Sequence, residues 1–431
     1  MDLPLSSPVR RGILVVAAFL VFIVLSYLGI RNAWADHDSE LRTLQGYERA
    51  VRLEPTDFRN WYLLGRYWQY NVEDADSSRA IRAYNAALSL NPHDADIWAD
   101  LGTAYESEGN VPAARDAYAH AKRAYPSSAE VSWRYGNFLL RQGELDSAFQ
   151  EMRQAVEADS KRGGEALSRS LRAEPNIAAV LDRVLPPNSD SYLYAIVDQT
   201  ADGHTDNALK VWARLTSLHP RISVRDSFPL VNALRRDNKF AEARQVWDQA
   251  VTLSGLTNLP GPAGSVLWDG GFESGVIGGG YAWNYPGGLQ GVQISIDPHE
   301  KHSGSHSLQL LFNGKFNVNL GGPCHDVPID PSTAYQFSAW VRTQALTTDQ
   351  GIRFQLRALG APGSAPTVTS DVHGTQPWVR LAIPWSSGAT DREMQVCVAR
   401  SQSREADDKI QGIAWVDDVA LVPDAGGLSK P

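Results

Sequence analysis

The hydrophobic rhythm of the chain changes twice. Ile13 to Ile30 reads ILVVAAFLVFIVLSYLGI, eighteen residues without a charge. At a rise of 1.5 Å per residue such a helix is about 27 Å long, close to the apolar core of a bilayer. From about residue 40 to 256 apolar residues recur at helical spacing, which predicts a run of amphipathic helices. After that, residues 305–320, 335–343, 352–358, 378–383, 394–399 and 413–421 alternate apolar and polar with turn residues between them, the signature of short half-buried strands. Many strands with few helices predict an all-β sandwich or jelly roll. Leu259-Pro260-Gly261-Pro262-Ala263-Gly264 separates the two rhythms, because Pro and Gly stop helices. The expected segments are residues 1–12, an apolar span 13–30, an all-α region 40–256, a linker 257–264, a β-domain 265–424 and a tail 425–431.

The flanks of the apolar span give its orientation. Arg10 and Arg11 precede it, and Arg31 is followed by Asp36, Asp38 and Glu40. The positive-inside bias therefore puts residues 1–12 in the cytoplasm and the remainder outside it. Ala33-Trp34-Ala35 also has the small-x-small pattern of a signal-peptide cleavage site, so a cleaved leader is the competing reading. The run is longer than the usual apolar core of a leader, about 7–15 residues, and Arg31 sits where a leader is neutral. These two facts favour an uncleaved single-pass transmembrane anchor, and a buried core helix is the third alternative. The first two readings both export the bulk of the chain to a periplasmic or extracytoplasmic space.

Within the helical region the chain repeats itself. Trp98, Leu101, Gly102, Tyr105, Ala114, Tyr118, Ala121 and Pro126 are spaced as in the tetratricopeptide repeat, a 34-residue helix-turn-helix, and the segment resembles that family at each diagnostic position. The pattern recurs as Trp61, Leu64, Gly65, Ala80, Tyr84, Ala87 and Pro92, and again as Tyr135, Gly136, Leu139, Ala148, Met152 and Ala155. Weaker copies follow around Ala208, Trp212 and Leu215 and around Ala243, Trp247 and Ala250, while residues 160–190 depart from the pattern. The resemblance implies a solenoid in which Trp61, Trp98 and Trp247 are core and whose concave groove binds a protein partner. Arg66, Arg115 and Arg134 belong either to a solvated face or to a peptide clamp.

Composition narrows the function. The net charge of −9 with 43% apolar residues fits a folded chain and excludes a basic nucleic-acid binder. No G-x-S-x-G, H-E-x-x-H, P-loop or Cys/His metal spacing occurs in the exported part, so nothing points to an enzyme.

The β-domain carries a second resemblance, to the carbohydrate-binding modules of families 4, 9 and 22, which share a galactose-binding-like jelly roll. The blocks are Trp268 to Gly275, His302 to Leu308, Tyr335 to Arg342, Trp378-Val379-Arg380 and Trp415 to Leu421, in that order. Trp268-Asp269 stands where the family more often has a Leu-Asn entry. The resemblance implies a structural Ca²⁺ where first and last strands meet, with Glu273 and Asp418 as the matching acids and carbonyls of His302 to Ser305 nearby. The alternative is that Asp417 and Asp418 merely cap a strand.

It also implies a sugar site, built from an aromatic face and planar polar groups. Period-2 reading buries Phe316, Val318, Phe337, Ala339, Val341, Ile352, Phe354 and Leu356, leaving Asn317, Asn319, Trp340, Arg342, Arg353, Gln355 and Arg357 on one outward face. Its arginines would suit a carboxylated polysaccharide or oligosaccharide. Otherwise Trp340 packs under a loop and the arginines serve solubility. Trp283, Tyr281 and Tyr285 form a second possible platform. The only cysteines, Cys324 and Cys397, either bridge or remain apart. The expected function is a non-catalytic, membrane-anchored scaffold that binds a protein through the repeats and a glycan through the jelly roll, in cell-surface polysaccharide assembly or export. The alternative is a structural protein-interaction module whose jelly roll binds no sugar.

Overall fold

The structure, a computed structural model, describes residues 8–285, 287–360 and 365–424; most of the expected cytoplasmic segment and the 425–431 tail lie outside them. It divides into two compact units, Met1–Pro186 and Pro187–Pro431. The division falls between two prolines, where neither residue can donate a backbone hydrogen bond to continue a helix. Four of the repeat helices therefore belong to the same unit as the β-domain.

The first unit opens with α1 (Pro8–Glu40), which is longer than the expected span. Its apolar stretch has no buried residue, and among the described residues it is the one helix long and apolar enough to cross a membrane. Its last turns differ. Ala35 and Asp38 are buried against α2 (Leu44–Leu53), where a Cβ at Gly46 would lie 2.3 Å from the Asp38 carbonyl. Arg49 lies 3.8 Å from the Asp38 carboxylate.

Three tetratricopeptide repeats follow as helix pairs: α3 (Phe58–Tyr70) with α4 (Ser77–Leu90), α5 (Ala95–Ser107) with α6 (Val111–Ala124), and α7 (Ala129–Arg141) with α8 (Leu145–Ala158). Asp57, Asp76, Asp94, Asn110 and Ser128 cap these helices through side-chain oxygens, as residues of that type do at N-termini. The repeat also recurs in contacts. Trp61 Nε1 donates to the Pro55 carbonyl and Trp98 Nε1 to the Pro92 carbonyl, both at 2.9 Å, so each Trp locks the turn before its own repeat. Gly65 and Gly102 face the rings of Tyr84 and Tyr118, which explains the small residue at that position. The departing segment forms a 3₁₀ turn, α9 (Gly163–Ala173) and the short α10 (Ile177–Val184).

The second unit begins with α11 (Ser189–Ala201), α12 (Thr205–Ser217), α13 (Phe228–Arg236) and α14 (Phe240–Ser254). Trp247 of α14 lies against Phe228, Trp268 and Tyr281, with ring centroids 6.2, 5.3 and 6.0 Å away. Gly279 and Gly280 approach Phe228 and Trp247 so closely that a Cβ would meet them at 2.5 and 2.6 Å. Trp247 is thus core, and the Gly-rich loop docks on the helices.

The β-domain is a sandwich of two antiparallel sheets. Its strands are β1 (Trp283–Asn284), β2 (Val292–Asp297), β3 (Ser307–Asn313), β4 (Leu320–Pro328), β5 (Ala334–Leu346), β6 (Arg353–Ala358), β7 (Thr367–Val368), β8 (Gly374–Ser386), β9 (Glu393–Arg400) and β10 (Gln411–Pro423). The first sheet has the order β1-β4-β9-β6-β7 and the second β2-β3-β10-β5-β8. The run 305–320, expected to be one strand, breaks at Asn313-Gly314, where Gly314 adopts φ 74°. That conformation suits Gly and turns the chain out of β3. Phe316, expected in the core, falls beyond this break and is exposed, whereas Phe312, Val318, Phe337, Phe354 and Val396 fill the space between the sheets.

Candidate functional site

The expected sugar-binding face is split by the topology. Trp340 and Arg342 lie on β5 in the second sheet, whereas Arg353, Gln355 and Arg357 lie on β6 in the first. Period 2 places all five outward, but a sandwich has two outer faces, and the 347–352 connection carries the chain from one sheet to the other.

On the second sheet the aromatic surface is already covered. The His302 ring stacks on Trp340 with centroids 4.0 Å apart and planes 17° apart, and its Nδ1 lies 2.6 Å from Asp418. Trp378 closes the other side of His302 at 5.7 Å. Arg342 pairs with Glu300 and lies over the Trp415 ring. Trp340 therefore packs under the 298–306 loop, the alternative that the sequence left open.

The first sheet presents a different surface. Pairing places Gln355 beside Cys397 and Arg357 beside Gln395 on one side, and Cys324 beside Cys397 and Asp326 beside Gln395 on the other. Cys324 and Cys397 are disulfide-bonded. Gln355, Arg357, Gln395 and the disulfide, with Gly321 and Pro366, line a cavity of about 190 Å³. Arg357 donates to Gln395 Oε1 at 2.8 Å, and Gln395 Nε2 donates to Asp326 at 2.9 Å, so the planar groups are held in a row. Tyr285 borders the same edge, since a Cβ at Gly322 would lie 3.6 Å from its ring and 3.7 Å from the Cys324 sulfur. Gln395 and Asp326 were not among the expected ligands; they became visible only through the register of β9 with β4 and β6.

The other expected residues have structural partners. Arg353 hydrogen-bonds Gln350 and faces Asp371 at 3.6 Å. Asn317 ties down a loop by donating to the Ser403 carbonyl and accepting from its N–H. Asn319 is exposed just before β4. Trp283, expected as a platform, is fully buried, stacked on Phe272 at 4.7 Å and donating to the Asp269 carbonyl. Tyr281 is also buried, with its hydroxyl 2.6 Å from Glu393.

Glu273 and Asp418, the expected Ca²⁺ ligands, both meet the 302–306 turn. Their oxygens, however, face hydrogen donors. Glu273 accepts from the Ser305 N–H at 2.7 Å and faces His306 Nδ1 at 3.1 Å; Asp418 accepts from the Ser303 hydroxyl at 2.7 Å and meets His302. Asp417 accepts from the N–H groups of His302 and Ser303. Ca²⁺ needs free oxygen lone pairs, and donors aimed at both carboxylates do not fit it. Among the described residues no group of three or more His, Cys, Asp and Glu side chains is arranged to hold a metal ion.

In the first unit the repeats carry a polar ladder. Asp100, only 1% exposed, receives Arg134 and the Tyr70 hydroxyl, with Arg66 at 4.0 Å. Burial first, and the Asp100 charge second, push Tyr70 up to about 12. Arg141 pairs with Glu106 and Arg115 with Glu144. Arg66, Arg115 and Arg134 are thus internally paired rather than merely solvated. Beside this ladder Arg42, Tyr47, Leu63, Tyr67 and Tyr70 line a cavity of about 430 Å³.

Comparison with known proteins agrees with the helical half. The tetratricopeptide repeat family profile matches residues 70–129 and 121–162. Among solved structures the chain is similar to YrrB, described as a TPR protein with an unusual peptide-binding site, at 15% identity over 49% of this chain and 94% of that one, TM-score 0.27. It is also similar to PilF of Pseudomonas aeruginosa (19% identity, 47% and 78% covered, TM-score 0.25) and to MamA (17% identity, 47% and 93% covered, TM-score 0.25). No curated protein matches the sequence. The chain thus pairs a tetratricopeptide-repeat scaffold, a class that acts by protein interaction, with a C-terminal antiparallel β-sandwich.

Proposed function

We propose that this protein is a membrane-anchored, exported, non-catalytic scaffold that docks a protein partner on its repeats and holds a glycan on the outer face of the first sheet. The observation that carries the glycan half is the row of Gln355, Arg357 and Gln395 beside Tyr285 and the disulfide, a cavity of about 190 Å³ with planar donors fixed in place. Planar amide and guanidinium groups suit paired sugar hydroxyls, and the arginine favours a carboxylated polysaccharide. A role in cell-surface polysaccharide assembly or export follows from combining the two binding functions.

Two observations support an uncleaved anchor. The Ala33-Trp34-Ala35 site lies inside an unbroken helix, and Ala35 is fully buried against α2, so the folded first unit uses the segment that cleavage would cut. A second reading, in which the sandwich serves only as a stabilising cap, draws support from Arg235 of α13, which binds Glu393 and Asp326 of the sandwich at 2.7 Å each. Affinity electrophoresis of the full-length protein through a panel of acidic and neutral polysaccharides separates the two. Retardation that Arg357→Gln abolishes supports the glycan reading, and none on any polysaccharide favours the cap.

A further inference from the structure

A larger cavity of about 530 Å³ opens where α13 and α14 meet the β8–β9 turn, with Arg235, Arg236, Phe240, Leu359, Arg392 and Glu393 in its lining. Its volume falls in the range of small-molecule sites. What distinguishes it is that several of its polar groups have no side-chain partner among the described residues.

Arg235 and Glu393 are occupied with each other. Arg235 donates to both oxygens of Glu393 and to Asp326, and Tyr281 donates to Glu393 as well. Burial works against the Arg235 charge, and these carboxylates more than offset it, so its pKa rises. This cluster is the wall of the cavity. Arg236 is exposed and, among the described residues, its side chain meets no carboxylate. The Arg392 guanidinium touches only the carbonyls of Ala389 and Asp391. Two positive charges therefore face the cavity without a counterion. Asn232, Asn238 and Thr390 add side-chain polar groups that no hydrogen bond within the described residues uses, and Asn238 is held in the left-handed region at φ 60°. Phe240 and Leu359 supply the apolar part of the lining.

We infer that this cavity is a second ligand site, for a carboxylate-bearing saccharide unit. The guanidiniums of Arg236 and Arg392, neither paired with a carboxylate, match a carboxylate, two amides and a hydroxyl match ring hydroxyls, and the Phe240 ring offers an apolar face to C–H groups. The inference shares only its ligand class with the proposal for the first sheet; the residues are different, so the two can fail separately.

The test is calorimetric titration of the full-length protein in detergent with digalacturonate, cellobiose and inorganic phosphate. Digalacturonate binds and cellobiose does not, and Arg236→Gln and Arg392→Gln each weaken binding by about tenfold or more, because charge-assisted hydrogen bonds are the strong ones. Arg236→Gln leaves the melting temperature unchanged, since that side chain is exposed and bonds nothing among the described residues, and it is the variant that decides if Arg392→Gln also loosens the turn that Arg392 bonds. Binding of phosphate without digalacturonate overturns the saccharide assignment. Digalacturonate binding that survives both substitutions but is lost in Arg357→Gln overturns this site and leaves the first sheet as the only one, and no binding at all overturns both.

Discussion

Gly65, Gly102 and Gly136 occupy the same repeat position but different amounts of space, so alanine at each should give a graded response. At Gly65 a Cβ would lie 2.6 and 2.7 Å from Cε1 and Cδ1 of Tyr84, a ring with no exposure. At Gly102 the nearest atoms of Tyr118 are at 3.0 Å, and at Gly136 the nearest is the mobile end of Met152 at 3.2 Å. Normal carbon contacts are about 3.5–4.0 Å, so Tyr84 must retreat by about 1 Å inside a packed core. Overpacking of that kind costs about 1–3 kcal/mol, against a gain of about 1 kcal/mol for replacing Gly by Ala in a helix. Gly65, with two ring atoms closer than 3.0 Å, falls at the upper end of that cost, so Gly65→Ala should lose about 2 kcal/mol net, Gly102→Ala up to about 1 kcal/mol, and Gly136→Ala should stay within about 0.5 kcal/mol of wild type. The readout is urea unfolding of the full-length protein in detergent, followed by far-UV ellipticity. A Gly65→Ala protein as stable as wild type, or a reversed order, would refute the claim that these glycines exist to admit the partner ring.

Three further outcomes follow from the β-domain. His325 is wholly buried, and its Nε2 donates to the Trp268 carbonyl, so it folds in the neutral form; burial lowers its pKa from 6.5 to about 4. Between these values the unfolded chain binds more protons than the folded one, so the stability it contributes, up to about 3 kcal/mol, is present above pH 6.5 and lost on acidification towards pH 4. Asp269 and Asp417, raised by burial to about 7 and 6, act in the opposite sense, so the quantity to measure is the wild-type profile minus that of His325→Gln. The disulfide closes a loop with a sequence separation of 73, and Cys324→Ser with Cys397→Ser should cost about 4 kcal/mol by loop entropy, read as a lower melting temperature that reductant reproduces in wild type. Chelator should leave the melting temperature unchanged, because the oxygens of Glu273 and Asp418 are engaged by Ser305, His306, Ser303 and His302; a fall of several degrees that Ca²⁺ restores would show that a cation belongs there.

What the sequence made legible was whatever close contact forces on residue type. The 34-residue spacing is readable because Gly65 must admit Tyr84 and Trp61 must reach the Pro55 carbonyl. Alternation likewise told which strand residues point inward, since Phe337, Phe354 and Leu356 are all buried. It did not tell which sheet a strand joins, because pairing order is set by contacts far apart in sequence. That is why Trp340 and Arg357 could look like neighbours while lying on opposite faces, and why Gln395, paired across from Arg357, was not picked out. Trp283 and Tyr281 misled for a related reason: aromatic residues in a Gly-rich loop resemble a binding platform until the loop is seen docked on α13 and α14. The docking of the last helices on the sandwich was equally hidden, since Arg235 meets Glu393 across 158 positions of sequence.

In the proposed function the outer face of the first sheet, and not the Trp340 face, holds glycan. Affinity electrophoresis of the full-length protein and two variants through an acidic polysaccharide tests it most directly. Wild type should be retarded, Arg357→Gln should lose the retardation with an unchanged melting temperature, and Trp340→Ala should retain it with a lowered melting temperature, because Trp340 packs on His302. Retardation abolished by Trp340→Ala but not by Arg357→Gln would contradict it.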